Sequence, residues 1–412
     1  MRYKKNKKLR IIYACGPGDV VGTYKYWKEG KHDPRQLSIT YSYQFYDACE
    51  KLDANAYLIS SNENTKHVDD NRFIIEHRPN LWAKKTGIKY HFGKLFYGFR
   101  FVLDSIKYNA DIAIVSLGDV PMFPLILLKI YGIKVVPTIH NVLWCKYKPI
   151  NKKMKLLLFL SSIFYKYGAF AIMCVSNEIA RQIKTLVPVN TPPLLEFLPI
   201  YEKDSFSDIK PYDLSRNEFS ILYIGRIEKS KGVYDLLDLV NRLKNKNLNI
   251  KFDLCGEGSE LTKLNDVTKT MKLENVFHLH GHCKKEYIKT IISKCSVIIV
   301  PTTSEFTEGF AKTVAEGVLA KRPVIASTVC PAVEYFGESV IKIAPGDLDA
   351  YEEIIQKLYL DHDYYKHIEI ATNKEVERFY DIKRGWGFAL QSILYALNNE
   401  ELPSAQSWYN KI

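Results

Sequence analysis

The sequence predicts an α/β protein made of two doubly wound domains joined by a linker. Three observations carry this. Short apolar runs alternate with helical patterns along most of the chain, as in a parallel sheet with helices on both faces. The alternation breaks between Val187 and Asn217, where five of the 17 prolines fall, and a proline-rich stretch with polar flanks marks a boundary. The length of 412 residues fits two to three domains at roughly 150 residues each.

In the first half the predicted strands are Leu9–Cys15, Ala56–Ser60, Arg72–His77, Asp111–Ser116, Lys134–Ile139 and Ala169–Val175. Helical patterns fill the gaps at Tyr43–Leu52, Phe92–Tyr108, Met122–Tyr131, Lys152–Tyr167 and Asn177–Leu186. After the break come strands at Phe219–Ile224, Ile250–Cys255, Val276–His280, Val297–Val300, Pro323–Ser327 and Val340–Ile343. Their helices are Val233–Lys244, Ser259–Met271, Glu286–Ser293 and Phe310–Leu319, followed by a helical tail over about Leu348–Asn398. The expected domains are 1–200, 201–375, and a tail at 376–412 that returns to the first domain. A cleft between two such domains is the natural ligand site, because ligands bind beyond the carboxyl ends of the strands.

Composition narrows the class. A hydrophobic fraction of 47% and a charged fraction of 25% suit a soluble globular protein and exclude collagen, coiled coil and wholesale disorder. The most apolar run without a charge, Leu156–Tyr165, has ten residues, against about 20 for a spanning helix. The basic start, Met1 to Arg10, is followed by no signal-peptide core. The eight cysteines form no C-x-x-C pair and mostly sit in apolar runs, so buried, reduced thiols of a cytoplasmic protein are expected. Charge is uneven. Residues 1–200 hold 30 Lys+Arg against 15 Asp+Glu, a balance of +15, and the other 212 hold 28 against 31, a balance of −3. The basic half calls for an anionic partner: a membrane surface, nucleic acid or a phosphorylated substrate.

Two stretches of the second half carry chemistry. Ser304-Glu305-Phe306-Thr307-Glu308-Gly309-Phe310-Ala311 follows a strand and opens a helix that reaches Glu316. Amides of a first helical turn near Gly309, Phe310 and Ala311 would have no intrahelical acceptor and would point at a ligand. Glu308 and Glu316 could hold two ends of an extended ligand; alone, the pair reads equally as a capping acid and a solvated helix glutamate. In Tyr223-Ile224-Gly225-Arg226-Ile227-Glu228-Lys229-Ser230-Lys231-Gly232, a glycine loop after a strand sets Arg226 and Lys231 five apart. That suits a pyrophosphate, with a forked contact from one and a point charge from the other; alone, it also suits a basic surface loop.

Together these stretches resemble the family-four glycosyltransferases, which have the GT-B fold of two Rossmann-like domains facing a cleft. The E-x7-E motif is matched from Glu308 to Glu316, and the G-R-x-x-x-x-K-G loop by Gly225-Arg226 and Lys231-Gly232. Cys255-Gly256-Glu257-Gly258, Leu279-His280-Gly281 and Lys321-Arg322-Pro323-Val324-Ile325-Ala326 add to the likeness. The resemblance implies a retaining hexosyltransferase using a UDP- or GDP-sugar. Glu308 would then face the sugar hydroxyls with the Gly309 and Phe310 amides, Glu316 would accept the ribose hydroxyls, and Arg226 and Lys231 would neutralise the diphosphate. In the first domain, Val135 to Asn141 resembles the family's strand that ends in a histidine facing the sugar, here His140. Val175-Ser176-Asn177 resembles its strand-to-helix serine, read as a helix cap. The Cys15-Gly16-Pro17-Gly18-Asp19-Val20-Val21-Gly22 loop takes the place of the family's glycine loop beside donor phosphates and acceptor, so Gly18 joins the donor site. Pro17 and Asp19 depart from the usual paired glycines.

No cofactor is implied, and no metal; the D-x-D triplet Asp361-His362-Asp363 lies in the tail. The aromatic, basic Tyr24-Lys25-Tyr26-Trp27-Lys28 suits stacking on a sugar or lipid-linked acceptor. Basic flanks around Leu156–Leu160 (Lys146, Lys148, Lys152, Lys153, Lys155, Lys166) and the basic N-terminus read as contact with an anionic membrane surface. The expected setting is surface-polysaccharide assembly at the cytoplasmic face of a membrane, without nucleic acid. Two competing readings remain at this point. One is an NAD(P) oxidoreductase resting on the G-x-G-x-x-x-G spacing of Gly16, Gly18 and Gly22. The other is a basic, non-catalytic binding module.

Overall fold

A computed structural model describes residues 8–80, 85, 87–116, 120–215 and 218–407. The chain divides into two compact units. One gathers the described residues up to Leu143, Ile150–Ile200 and those from Asp381 on; the other comprises Trp144–Pro149 and Tyr201–Tyr380.

The first unit holds one eight-stranded sheet: β1 (Arg10–Ala14), β2 (Asn55–Ser60), β3 (His67–Asp69), β4 (Phe73–His77), β5 (Ile112–Ser116), β6 (Lys134–Ile139), β7 (Ile172–Cys174) and β8 (Leu194–Glu196). Their order is β3-β4-β2-β1-β5-β6-β7-β8, parallel throughout except for β3 against β4. The inner strands read as unbroken apolar runs because helices cover both faces; Ile11, Ile12, Ile112 and Ile114 are completely buried. Two strands escaped the sequence reading. β3 is a short polar edge strand, mostly exposed. β8 lies inside the stretch taken for a linker. The stretch is no free linker over that part, because Leu194, Leu195 and Glu196 pair with Ile172, Met173 and Cys174.

The returning segment is tied to this unit by burial. Trp386 is fully buried, stacked on Tyr13 with ring centres 5.4 Å apart, and its indole N–H donates to Thr138 Oγ1 at 3.0 Å. The helix Trp386–Asn398 lies on the helix Tyr41–Lys51, where the Gly387 amide donates to Gln44 at 2.9 Å. A side chain at 387 would press on the Gln44 backbone at 3.0 Å. The helical tail is thus cut: Leu348–Leu360 and His362–Ala371 belong to the second unit, Trp386–Asn398 to the first.

The second unit carries six parallel strands: β9 (Phe219–Ile224), β10 (Ile250–Cys255), β11 (Phe277–Gly281), β12 (Val297–Val300), β13 (Val324–Ser327) and β14 (Val340–Ile343). Their order is β11-β10-β9-β12-β13-β14. The chain runs outward from β9 on one side, then returns to β12 and runs outward on the other. The carboxyl ends of β9 and β12 flank that reversal, the place where open α/β sheets bind ligands. The two motif stretches leave these two ends.

Candidate active site

The glycine loop after β9 is shaped by three close backbone approaches. Gly232 sits at φ +78°, and a Cβ there would stand 2.1 Å from the Pro301 carbonyl. A Cβ at Gly256 would meet the Gly225 carbonyl at 1.8 Å, and one at Gly258 the Ile227 carbonyl at 2.2 Å. Only glycine permits such contacts, so the Gly256-Glu257-Gly258 turn after β10 is the bed on which the Gly225–Ile227 loop lies. The Ile227 amide donates to the Glu257 carbonyl at 2.8 Å. From this loop Lys231 reaches Glu308, with Nζ 2.5 Å from Oε2 and both side chains largely buried. The Lys231 ammonium lies 3.7 Å from the centre of the Phe306 ring, and the Arg226 guanidinium lies 5.1 Å from the same centre. Phe306 therefore gathers the two cations by cation–π attraction. Arg226 also pairs with Glu228 at 2.9 Å.

The helix at the second motif begins later than the sequence suggested. It spans Lys312–Leu319, and Ala311 is its N-cap at φ +74°. Gly309 and Phe310 therefore lie before the helix and do not supply first-turn helix amides. The left-handed Ala311 is a strained conformation for a residue with a Cβ. It turns the chain so that Phe310 enters the core against Tyr335 and Phe379, its carbonyl accepting the Ala332 amide at 2.9 Å. Thr313 Oγ1 donates to the Ile224 carbonyl at 3.1 Å, fastening this helix to the start of the glycine loop. Glu316, one turn on from Lys312, is buried and accepts the Tyr201 hydroxyl at 3.3 Å. Burial pushes its carboxyl above the ordinary value despite the nearby Lys312 ammonium and the Tyr201 bond, and burial also lowers Lys312. Burial next, then the charge of Glu308, drives the Cys330 thiol up to about 12.

Within the second unit the structure thus brings Arg226 and Lys231 to one ring and Glu308 to Lys231, while Glu316 lies within the helix that follows. Phe306 and Tyr201 were missed by sequence reading. Phe306 lies inside the motif stretch but carries no charge to attract notice, and Tyr201 sits in the proline-rich segment, where no pattern singles it out. The segment Trp144–Pro149 also touches these loops. Lys148 forms an ion pair with Glu305, and the Tyr147 hydroxyl lies 2.6 Å from Thr328 Oγ1.

In the first unit His140 follows β6. Its ring lies 4.8 Å from that of Tyr41 and 5.6 Å from that of Phe197, with Nε2 3.1 Å from Thr138 Oγ1. Thr138 also takes the Trp386 indole, so the tail holds the strand end that carries His140. Gly18 lies in the loop after β1, its carbonyl accepting from Ser60 Oγ at 2.6 Å. Asp19 caps the helix Val20–Lys28 through the Gly22 amide at 2.9 Å and pairs with Arg35 at 2.9 Å. A side chain at Gly22 would strike that carboxylate at 2.5 Å, so the glycine spacing in this loop has a local cause in the Asp19 cap.

Three further expectations need correction or refinement. Tyr24 and Trp27 do not form a stacking platform. Tyr24 is buried, the two rings pack with Tyr46 and Phe73, and the Trp27 indole donates to Asp47. Their i, i+3 spacing is that of a helix's buried face. Ser176 stands at the N-cap of the helix Asn177–Leu186 but makes no side-chain cap bond. Of the basic N-terminus, residues 1–7 lie outside the described residues; Lys8 pairs with Asp53 and Arg10 covers the Tyr108 ring. All eight cysteines are free, five of them buried.

Residues 204–375 match the family model for glycosyl transferases group 1. The second unit is a group 1 glycosyltransferase domain. The capsular polysaccharide biosynthesis glycosyltransferase CapM of Staphylococcus aureus is 24% identical over 220 residues, 52% of this chain and 56% of that protein. The chain spans about half the length of the curated relatives it matches, 40% and 57% for two others. Among solved structures, sucrose-phosphate synthase from Thermosynechococcus elongatus superposes with a TM-score of 0.72 at 16% identity, over 95% of this chain and 99% of that one. HepE of Anabaena, in complex with UDP and glucose, gives 0.64 at 14% identity over 95% and 100%. These likenesses show the GT-B fold.

Proposed function

We propose that the chain is a retaining glycosyltransferase. It moves a sugar from a UDP- or GDP-sugar to a lipid-linked acceptor in surface-polysaccharide assembly, at the cytoplasmic face of a membrane. The convergence of Lys231 and Arg226 on Phe306, with Glu308 paired to Lys231, inside the family-matched residues, carries this reading. In it, Arg226 and Lys231 meet the diphosphate, and the three N–H donors of Lys231 let it bridge Glu308 and a phosphate oxygen. Glu308 orients the sugar through its hydroxyls and Glu316 takes the ribose, and His140 and Gly18 keep the donor-side roles that the family resemblance implies. Gly309 and Ala311 set the turn that presents Glu308. Charge that grows on the leaving diphosphate is met by fixed cations. The phosphate oxygen takes the acceptor proton, and the new bond forms on the face that the diphosphate leaves. No divalent metal is needed in this scheme, because Arg226 and Lys231 meet the diphosphate charge. UDP bound to HepE supports the donor class, and CapM supports the polysaccharide setting.

The membrane part rests on the first unit. The helices Gly87–Lys107, Met122–Ile130 and Lys152–Tyr167 pack side by side. Phe92, Phe96, Phe123, Leu156 and Phe159 are each at least 60% exposed, a large exposed apolar area for a soluble protein, and Lys152, Lys153 and Lys155 stand beside it in solvent. No helix among the described residues is long and apolar enough to cross a membrane.

The deciding experiment is a thermal-shift panel of UDP-, GDP-, ADP- and dTDP-sugars, then transfer from the stabilising donor to a polyprenyl-linked acceptor with excess EDTA present. Transfer with retained anomeric coupling in the product is expected. An inverted linkage rejects the retaining assignment, and stabilisation by none of the donors rejects the reading.

A further inference from the structure

On the outer edge of the second sheet, three side chains that the transfer reading does not use share one face. Asp253 of β10 and His278 of β11 are register partners, and His280 stands two residues on, hence on the same face. Asp253 Oδ1 lies 2.7 Å from His280 Nε2 and 3.2 Å from His278 Nδ1. The three ligand atoms all lie within 4.8 Å of one another, the one such group of His, Cys, Asp or Glu found among the described residues. Two outer contacts orient the set. Ser220 Oγ donates to the other carboxylate oxygen of Asp253 at 2.7 Å, and the Tyr287 hydroxyl meets the far ring nitrogen of His280 at 3.1 Å. Such partners fix the direction of ligating carboxylates and imidazoles.

We propose that Asp253, His278 and His280 form a binding site for a divalent cation of the zinc class, bracing the edge strand β11 against β10. One carboxylate and two imidazoles are the ligand types such an ion takes, at about 2.0–2.2 Å. Ligand atoms around a tetrahedral ion at that distance stand about 3.3 Å apart, so the closest pair needs to open by roughly half an ångström. The side chains of His278 and His280 are 35% and 21% exposed, which gives the ion access and leaves room for water as a fourth ligand. The brace bears on the glycine loop through backbone alone: the Gly281 carbonyl at the end of β11 accepts the Gly256 amide at 2.8 Å, and Gly256 is the bed of Gly225. The proposal is independent of the transfer reading, and its test reads the ion directly.

The full chain is stripped with chelator, exchanged into chelator-free buffer and titrated with ZnCl2 and CoCl2. One equivalent should bind saturably by calorimetry, and saturating zinc should raise the melting temperature by at least about 2 °C. Bound cobalt should show a visible d–d band without the near-ultraviolet charge-transfer band of a thiolate ligand. His278→Gln/His280→Gln, which keeps side-chain donors toward Asp253, should bind at least about tenfold more weakly and lose the zinc-dependent shift. Wild-type protein that binds no cobalt or zinc saturably, a thiolate band, or a double variant that binds as wild type would each overturn the proposal. Should the variant fold poorly, the stoichiometry and cobalt spectrum of the unaltered chain decide.

Discussion

Glu316 is a carboxylate placed where its own stability suffers. Burial raises its folded pKa above the unfolded value, so its contribution to stability is present in full below the unfolded pKa and is lost as pH rises through the folded one. Near neutral pH the fold holds this carboxylate at a cost. A residue kept at such a cost suits binding better than scaffolding. In the proposed role the ionised form accepts ribose hydroxyls. Nucleotide affinity should therefore fall on acidification at a pH above the ordinary glutamate range. Glu316→Gln should bind UDP or GDP about tenfold more weakly at pH 7.5 and lose that acid limb; calorimetry across pH checks it, and an unchanged profile removes the ribose role. Lys231 makes the second test at this scale. Its ammonium is shared between Glu308 and the Phe306 ring, so Lys231→Ala should cost kcat about 10²-fold or more. Full turnover at saturating donor would deny it a part in the chemical step. The charged residues of this site were legible in sequence because glycine spacing and charge mark them. Phe306 and Tyr201 were not, since one carries no charge and the other stands outside any periodic pattern.

At the scale of elements, the inner strands were legible for a physical reason: strands covered on both faces are unbroken apolar runs. Edges and caps were not. β3 is polar on an edge, and β8 hides among prolines that forbid helix but not a three-residue ladder. The helix at Lys312 starts two residues late because Ala311 adopts a left-handed conformation that no alanine advertises. Arg322 shows what such elements depend on. It was noticed only as part of a family-like run, yet it is fully buried. Its guanidinium donates to the Ile292 and Ser293 carbonyls at 3.2 Å each, to Ala320 and Lys321 at 3.2 and 3.3 Å, and to Lys210 at 3.0 Å. It thus closes the carboxyl ends of the helices Lys285–Lys294 and Lys312–Leu319 at once. Arg322→Met would strand these acceptors and should cost about 3 kcal/mol or more in urea unfolding. Arg322→Lys should recover only part, because an ammonium has three donors in place of a five-donor fork. A loss under about 1 kcal/mol for Arg322→Met would mean that these carbonyls find other partners.

At the scale of the whole molecule, the charge asymmetry was legible by counting, but the surface that uses it was not. One helix, Lys152–Tyr167, was singled out from its basic flanks. Gly87–Lys107 and Met122–Ile130 were read as ordinary helices, because the sequence does not say which apolar face a helix leaves uncovered. In the fold they add Phe92, Phe96 and Phe123 to the exposed area. Two attractions with different signatures then act on a vesicle. Lysines near an anionic surface contribute about 1 kcal/mol each and are screened by salt within a Debye length, whereas buried aromatic area is indifferent to salt. The full chain should therefore sediment with phosphatidylglycerol vesicles far better than with phosphatidylcholine ones. Added salt should release most of it but leave a residue. Reversing Lys152, Lys153 and Lys155 to Glu should abolish the salt-sensitive part, while Phe96→Ser/Phe123→Ser should abolish the salt-resistant part, both without loss of nucleotide binding. Equal sedimentation with neutral and anionic vesicles would remove the electrostatic component. Full release by salt from the unaltered chain would mean that the exposed aromatics do not enter the lipid, and the apolar face of these three helices would then require a protein partner instead.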